Sequence, residues 1–384
     1  MLKLFAILFV VYLTINSAFS EQIKIGLMFF KEDPRYEKSF AYARIPLRSK
    51  NSPTLALKLA MEDTQMISSV KKLEVSTYVI QVTAEDIMEK FDEALRKEIQ
   101  YFILDFPSDV ISTLSQAARG KGIVLINTTA REDFLRSKCS KNLYHSVASN
   151  RMISDSLAQY LADKKAKKIL VIHGGTEEDL EYVKSFKQSL KRLRLNFVDE
   201  RLFDISTNPS LREKNNIALL TGGKIKYDFV FVADSIGEFA RYVPYQTKIP
   251  RPVIGSSGLV PLEWHWSLER YGAPQVNSRF ERLTDGKERM NWQDWSIWVA
   301  AKSIVYGRIK ASKNEDDIFN SRRFRVDGST GRPLTFRKWS KQLRIPILLT
   351  TQNAVIEIAP LDGFLHQTNT LDSLGYDEKE FSCE

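Results

Sequence analysis

Short apolar runs separated by stretches of helical spacing constrain this chain more than any other feature. IKIGLMFF (23–30), YFILD (101–105), IVLI (123–126), KILVIH (168–173) and the YDFVFVAD run (227–234) are β-branched, aromatic and too short for helices. Such runs read as strands buried on both faces, the situation of a parallel sheet covered by helices. Between them the spacing predicts helices over 55–66, 84–97, 109–118, 153–164 and 177–193, with further strands over 73–82, 143–147 and 196–203. Strand and helix therefore alternate four times up to residue 126, close with a strand at 143–147, and begin a second series. That order predicts an α/β protein of two doubly wound, parallel-sheet lobes.

The stretch 227–266 completes the second series and indicates where a ligand would sit. Asp234 ends its strand, SIGEFARYVPY (235–245) places Ile236, Phe239 and Val243 at helical spacing, and 252–255 reads as another strand. In open α/β sheets ligands lie beyond the carboxyl ends of the strands, so Asp234 is expected to face a cleft. Trp264-His265-Trp266 follows where the chain leaves this sheet; Trp264 and His265 either stack on a ligand or fill the hinge between lobes. Residues 292–309 form a long helix with Trp295, Trp298, Val299, Ile304 and Val305 on one side, a spacing that predicts burial. Three extended segments, RPLTFR, PILLTTQ and AVIEIAP, precede the C-terminal tail.

Residues 1–20 have the pattern of a secretory signal peptide: Lys3, an apolar core over 4–15, and Ala18-Phe19-Ser20 before Glu21. An exported, soluble protein is expected, with chain enough for two lobes that each hold a core. The net charge of +9 is spread along the chain. Its densest knot, Lys164, Lys165, Lys167 and Lys168, falls at a helix end, where cations oppose the dipole. No aromatics interleave with it, which argues against nucleic acid. Cys139 and Cys383 are the two cysteines; in an oxidising compartment they are expected to bridge, although two free buried thiols remain the alternative. A bridge over so long a loop contributes a few kcal/mol on the chain-entropy view.

Reactive signatures are missing. Gly174-Gly175 follows a strand, but Glu177, Glu178 and Asp179 already occupy the positive helix end where a phosphate would bind. His145, His173, His265 and His366 are scattered, and neither a metal motif nor a nucleophile elbow occurs. No cofactor, metal or catalytic residue is expected. Candidate ligand contacts are polar groups at strand ends: Asp105, Ser108, Asn127, Thr128 and Thr129 in the first lobe, with Asp234, Trp264 and His265 later. Each has a plain structural reading beside it, as a helix cap or a turn. Residues 31–53 show no regular period; Tyr36 and Arg44 there make a candidate lid or a surface elaboration.

Several stretches carry a resemblance: DPRYE (33–37), YARIPLR (42–48), NNIALLTGG (215–223), VFVADSIGEFARYVPY (230–245), GLVPLEWHW (258–266), YGAPQVNSRFER (271–282) and GFLHQTNTLDSLGY (363–376). Together they resemble the ABC-transporter substrate-binding proteins associated with pyrroloquinoline-quinone (PQQ)-dependent alcohol dehydrogenase systems. The resemblance implies the type 1 periplasmic-binding-protein fold, with a three-segment hinge and lobes of 21–146 plus about 262–335 and 147–261 plus about 336–384. It also implies a periplasmic monomer that holds a small molecule, docks on an ABC permease in the inner membrane and acts beside alcohol oxidation. Relatives that bind branched-chain amino acids clamp the ligand carboxylate with small, hydroxyl-rich strand-end loops. Asp105-Phe106-Pro107-Ser108 departs from that pattern, being bulkier and one N–H donor short. Two rivals are a sensor or accessory protein of a periplasmic quinoprotein dehydrogenase, and an enzyme on the same fold using Asp105 and Asp234.

Overall fold

The computed structural model describes residues 21–36, 52–137, 140–205, 209–311 and 317–381. The predicted signal segment, Arg44 with most of the candidate lid, and both cysteines, Cys139 and Cys383, lie outside the described residues.

The chain opens with β1 (Glu21–Phe30), α1 (Ser52–Val70), β2 (Leu73–Val82), α2 (Ile87–Arg96), β3 (Tyr101–Asp105), α3 (Ser108–Ala117), β4 (Val124–Asn127), the single turn α4 (Phe134–Ser137) and β5 (Leu143–His145). These strands form one parallel sheet in the order β2-β1-β3-β4-β5. Then come α5 (Asn150–Asp163), β6 (Lys168–His173), α6 (Glu177–Arg192), β7 (Asn196–Leu202), α7 (Ile217–Leu220), β8 (Phe229–Ala233), α8 (Val243–Gln246) and β9 (Val253–Gly255). Their strands make a second parallel sheet, β7-β6-β8-β9. In both sheets the order reverses beside the first strand, and those reversals are where open α/β sheets leave a crevice.

The rest is β10 (Val260–Leu262), α9 (Ala273–Leu283), α10 (Trp292–Lys310), β11 (Val326–Asp327), β12 (Pro333–Leu334), β13 (Ile347–Thr350) and β14 (Val355–Ala359). β10, β13 and β14 pair antiparallel into a third, small sheet, which packs against α5. α10 and α9 pack on α1. Trp295 and Trp298 are fully buried, as their spacing predicts, and their indoles donate to the Gly328 carbonyl (2.8 Å) and to Asp63 (2.9 Å).

The helix expected over 235–245 is not continuous. A loop is followed by a 3₁₀ turn, Ala240–Tyr242, and then by the one-turn α8. Gly237 sits at φ +77°, outside helical geometry, and the Asp234 carboxylate takes the N–H groups of Ile236, Gly237, Phe239 and Ala240 at 2.8–3.1 Å. A side chain that gathers so many local amides substitutes for the helical ladder.

Buried polar side chains fasten the segments near 130, 147, 263 and 342. Arg136, wholly buried, donates to the carbonyls of Ala130, Glu132 and Val147 and to Gln342 Oε1 at 2.8–3.1 Å. Burial pushes its guanidinium down to about 10. The Gln342 amide donates in turn to the carbonyls of Val147 (2.9 Å) and Leu343 (3.1 Å). Glu263 is also fully buried; it takes the Arg131 fork through both oxygens (2.7 Å each) and the Ala148 N–H (2.7 Å).

Candidate functional site

A cavity of about 440 Å³ opens where the carboxyl ends of both parallel sheets converge. The first sheet contributes Arg35 and Tyr36 after β1, Pro107 after β3, and the Thr129–Glu132 loop after β4. The second contributes Glu178, Asp179 and Tyr182 of α6, Asp234 and Ser235 after β8, and Gly255 and Ser256 at β9. Asn150 and Ile153 of α5, the β10 strand, and Trp292 and Gln293 of α10 complete the lining. Gly255, at φ +109°, lets the chain turn there; a Cβ would collide with the Val232 carbonyl oxygen.

Along the first wall, the amides of Thr129 and Ala130 and both guanidinium groups already have partners. The amide oxygen of Asn127, a wholly buried side chain, accepts from the Thr129 N–H (3.1 Å) and the Ala130 N–H (2.9 Å). Its Nδ2 donates to the Ala130 carbonyl at 2.7 Å. The Arg35 guanidinium forks onto Asp33 (2.6 Å at its closest) and reaches Asp105 (3.0 Å) and Thr129 Oγ1 (3.1 Å). Burial opposes that charge, yet Tyr36, Asp105 and Asp33 together hold its pKa above the ordinary arginine value. Arg131, paired with Glu263, also lies over the Trp292 ring at 4.1 Å from its centre.

The second wall is built from helix and loop caps. Thr176 caps α6 in a capping box with Asp179, and Asp179 Oδ1 also accepts the Ser235 N–H at 2.6 Å. Burial raises the Asp234 carboxyl although amides hold it. Among the described residues the Tyr182 hydroxyl is buried without a hydrogen-bond partner, its ring edge-on to Phe231 at 5.0 Å. Glu132 and Glu178 complete the charged lining, one from each wall; burial and then the Glu132 charge push Glu178 above the usual carboxylate range.

Of the residues singled out in the sequence, Tyr36, Thr129 and Asp234 line this cavity. Asp105 stands one layer behind, paired with Arg35, and Asn127 is the brace of the Thr129–Ala130 turn. Thr128 is buried and donates to the Leu104 carbonyl (2.8 Å); Ser108 opens α3. Trp264 lies in the core, where its indole donates to Asn277 (3.2 Å) and stacks 6.4 Å from Trp295. His265 is held by Ser267 (2.7 Å), and neither residue lines the cavity. Arg131, Glu132, Asn150, Glu178, Tyr182 and Trp292 were not expected there. The signal for Glu178 and Tyr182 was available, since they begin the helix directly after KILVIH. Among the described residues no group of three or more histidines, cysteines or carboxylates is placed to hold a metal ion.

Comparison with known proteins agrees with this architecture. A family model described as "Periplasmic binding protein" matches residues 57–210, from α1 through β7 and beyond. No curated protein matches the sequence. Among solved structures, an ABC-transporter substrate-binding protein from Sphaerobacter thermophilus superposes with a TM-score of 0.69 at 14% identity, over 88% of this chain and 98% of that one. A solute-binding protein from R. palustris in complex with benzoate gives 0.63 at 14%, over 88% and 96%. A branched-chain amino acid transporter substrate-binding protein from Streptococcus pneumoniae in complex with isoleucine gives 0.61 at 13%, over 88% and 99%. The fold of this chain is therefore that of the type 1 periplasmic binding proteins.

Proposed function

We propose that this chain is the solute-binding component of an ABC transporter: a receptor, not an enzyme, that holds a small molecule between two lobes and presents its closed form to a membrane permease. The observation that carries this reading is the cavity between the carboxyl ends of the two sheets, lined from both. A guest that contacts both walls binds the closed arrangement better than the open one, which is what drives hinge closure.

The lobes would comprise 21–146 with about 262–335, and 147–261 with about 336–384. The packing of α9 and α10 on α1, and of β13 and β14 against α5, supports that division. The crossings then fall where Arg136, Gln342 and Glu263 fasten the chain. Asp105 is ion-paired and Asp234 is surrounded by amides, so neither stands ready as a general acid or base, which favours binding over catalysis.

A periplasmic location follows from this reading and agrees with the signal-like residues 1–20. The link to PQQ-dependent alcohol oxidation, and with it a quinoprotein dehydrogenase as partner, rests on the sequence motifs alone. Native mass spectrometry of the purified chain from residue 21, with X-ray scattering before and after adding the released compounds, tests the reading. A bound small molecule and a smaller radius of gyration in its presence are expected. A protein that releases nothing and keeps one radius with every compound tried would overturn it.

A further inference from the structure

We propose that the guest is a small organic cation, an amine or guanidine, whose charged group sits between Glu132 and Glu178 and draws the two walls together. The inference rests on the receptor reading and gives it a ligand class.

The first argument is which groups of the cavity are still open. An acidic guest is best met by a free positive charge, and the arginines of this cavity are already paired, which leaves an acid only neutral donors such as Asn150 and Gln293. The amides of Thr129 and Ala130 go to Asn127, the Ser235 amide goes to Asp179, and the two arginines are forked onto Asp33 and Glu263. Among the described residues no hydrogen bond or ion pair involves the carboxylate of half-buried Glu132 or of Glu178. The charged groups left open are therefore two carboxylates, which suit a guest that brings positive charge.

Charge points the same way. Arg35 and Arg131 face four lining carboxylates, Glu132, Glu178, Asp179 and Asp234, and the arginines are further offset by Asp33, Asp105 and Glu263. This negative field is local, because the whole chain carries +9. Glu178, exposed at the cleft, is raised by partial burial and by the Glu132 charge against the pull of Arg35, and both carboxylates line the same cavity. Closure of an empty cleft brings those charges closer and is resisted. A cation between them turns one repulsion into two attractions, and so binds the closed form preferentially.

An independent observation is the Tyr182 hydroxyl, buried and without a partner on the same helix as Glu178. A buried hydroxyl is costly to leave unsatisfied, and closure of the walls on a guest would offer it a partner, to which it can donate or from which it can accept. Trp292 supplies an aromatic surface that already carries one cation, the Arg131 guanidinium. The cavity volume suits a molecule of metabolite size. A bare metal ion fits less well, since no cluster of three ligating side chains is in place among the described residues.

The test uses the chain from residue 21, freed of bound compounds by unfolding and refolding. Thermal shift and calorimetry would compare benzylamine, phenethylamine and agmatine with benzoate, phenylacetate and benzyl alcohol, and with calcium or magnesium alone. Amines are expected to bind and to shrink the scattering radius, while carboxylates and alcohols do neither. E132Q and E178Q are each expected to weaken the best amine about tenfold or more, the scale of one charge-assisted hydrogen bond, without lowering the thermal midpoint. Tight binding of a carboxylate or alcohol that closes the cleft would sink the cation and leave the receptor standing. So would amine binding indifferent to both glutamines, or stabilisation by a metal ion that a chelator removes. If no probe of any charge binds or closes the cleft, this inference falls, and if the purified protein also releases nothing, the receptor reading falls with it.

Discussion

Replacing Glu263 with alanine should be among the most damaging single changes in this protein. The carboxylate is fully buried, accepts both arms of the Arg131 fork at 2.7 Å, and accepts the Ala148 N–H at 2.7 Å. Removing one partner of a buried pair costs about 3–5 kcal/mol, because the other charge is left uncompensated. Arg131 retains some exposure, 16% of its side chain, so water recovers part of that loss. The stranded Ala148 amide adds about 1 kcal/mol or more. A loss of about 3 kcal/mol is therefore expected, a fall in Tm of about 4 °C for a chain of this length unfolding as one unit. E263Q, which keeps one oxygen for Ala148, should lose roughly half as much. The double variant R131M/E263M should recover all but about 1 kcal/mol, since it removes the stranded charge and leaves only the amide unsatisfied. Scanning calorimetry on the four proteins reads this directly. A Tm for E263A within a degree of the parent, or a double variant no more stable than the single, would refute the reasoning.

Asp234→Asn should lower stability by about 1.5–3 kcal/mol, because one carbonyl oxygen replaces a carboxylate that four amides surround. The urea midpoint would fall at unchanged m-value, and an unmoved midpoint would count against that role. Tyr182→Phe should leave the free protein's Tm unchanged or slightly higher, since the hydroxyl has no partner, yet weaken the guest about tenfold. Equal affinity in Y182F and the parent would show that the hydroxyl does not meet the ligand. The folded-state pKa of Glu178 is raised, so its charged form opposes folding above that pKa and the opposition fades as pH falls through it. E178Q should accordingly be slightly the more stable protein at neutral pH, the effect being small because the residue is exposed, with the gap narrowing as pH falls through the raised pKa; a gap that widens on acidification would contradict the sign.

Much of the fold was legible because its strands are buried on both faces. Tyr101–Asp105 and Lys168–His173, central in their sheets, are bounded as their apolar runs predict, and helix spacing correctly assigned Trp295 and Trp298 to the core. Residues 235–245 were misread because Ile236, Phe239 and Val243 keep helical spacing while Gly237 and the Asp234 side chain impose a loop. The site was legible only to the level of strand ends. Thr129 and Asp234 follow from that rule, but whether a strand-end group faces the guest or serves its neighbours depends on hydrogen bonds that spacing does not encode. Asn127 illustrates this: it is a polar residue at the right place whose amide is directed back onto its own loop. The acidic start of α6 excludes phosphate on the sequence alone, and the proposed preference for cations draws on the same residues.

The Asn127 brace has a consequence for selectivity. Its amide oxygen sits where the oxygen of an incoming acid would seek the Thr129 and Ala130 amides, and it is covalently attached to the same loop. A tethered competitor of this kind acts at an effective concentration set by geometry, in the millimolar range or above. On the proposed reading, an acidic guest at lower levels finds those two amides already occupied, so discrimination there begins with a rival the protein carries itself.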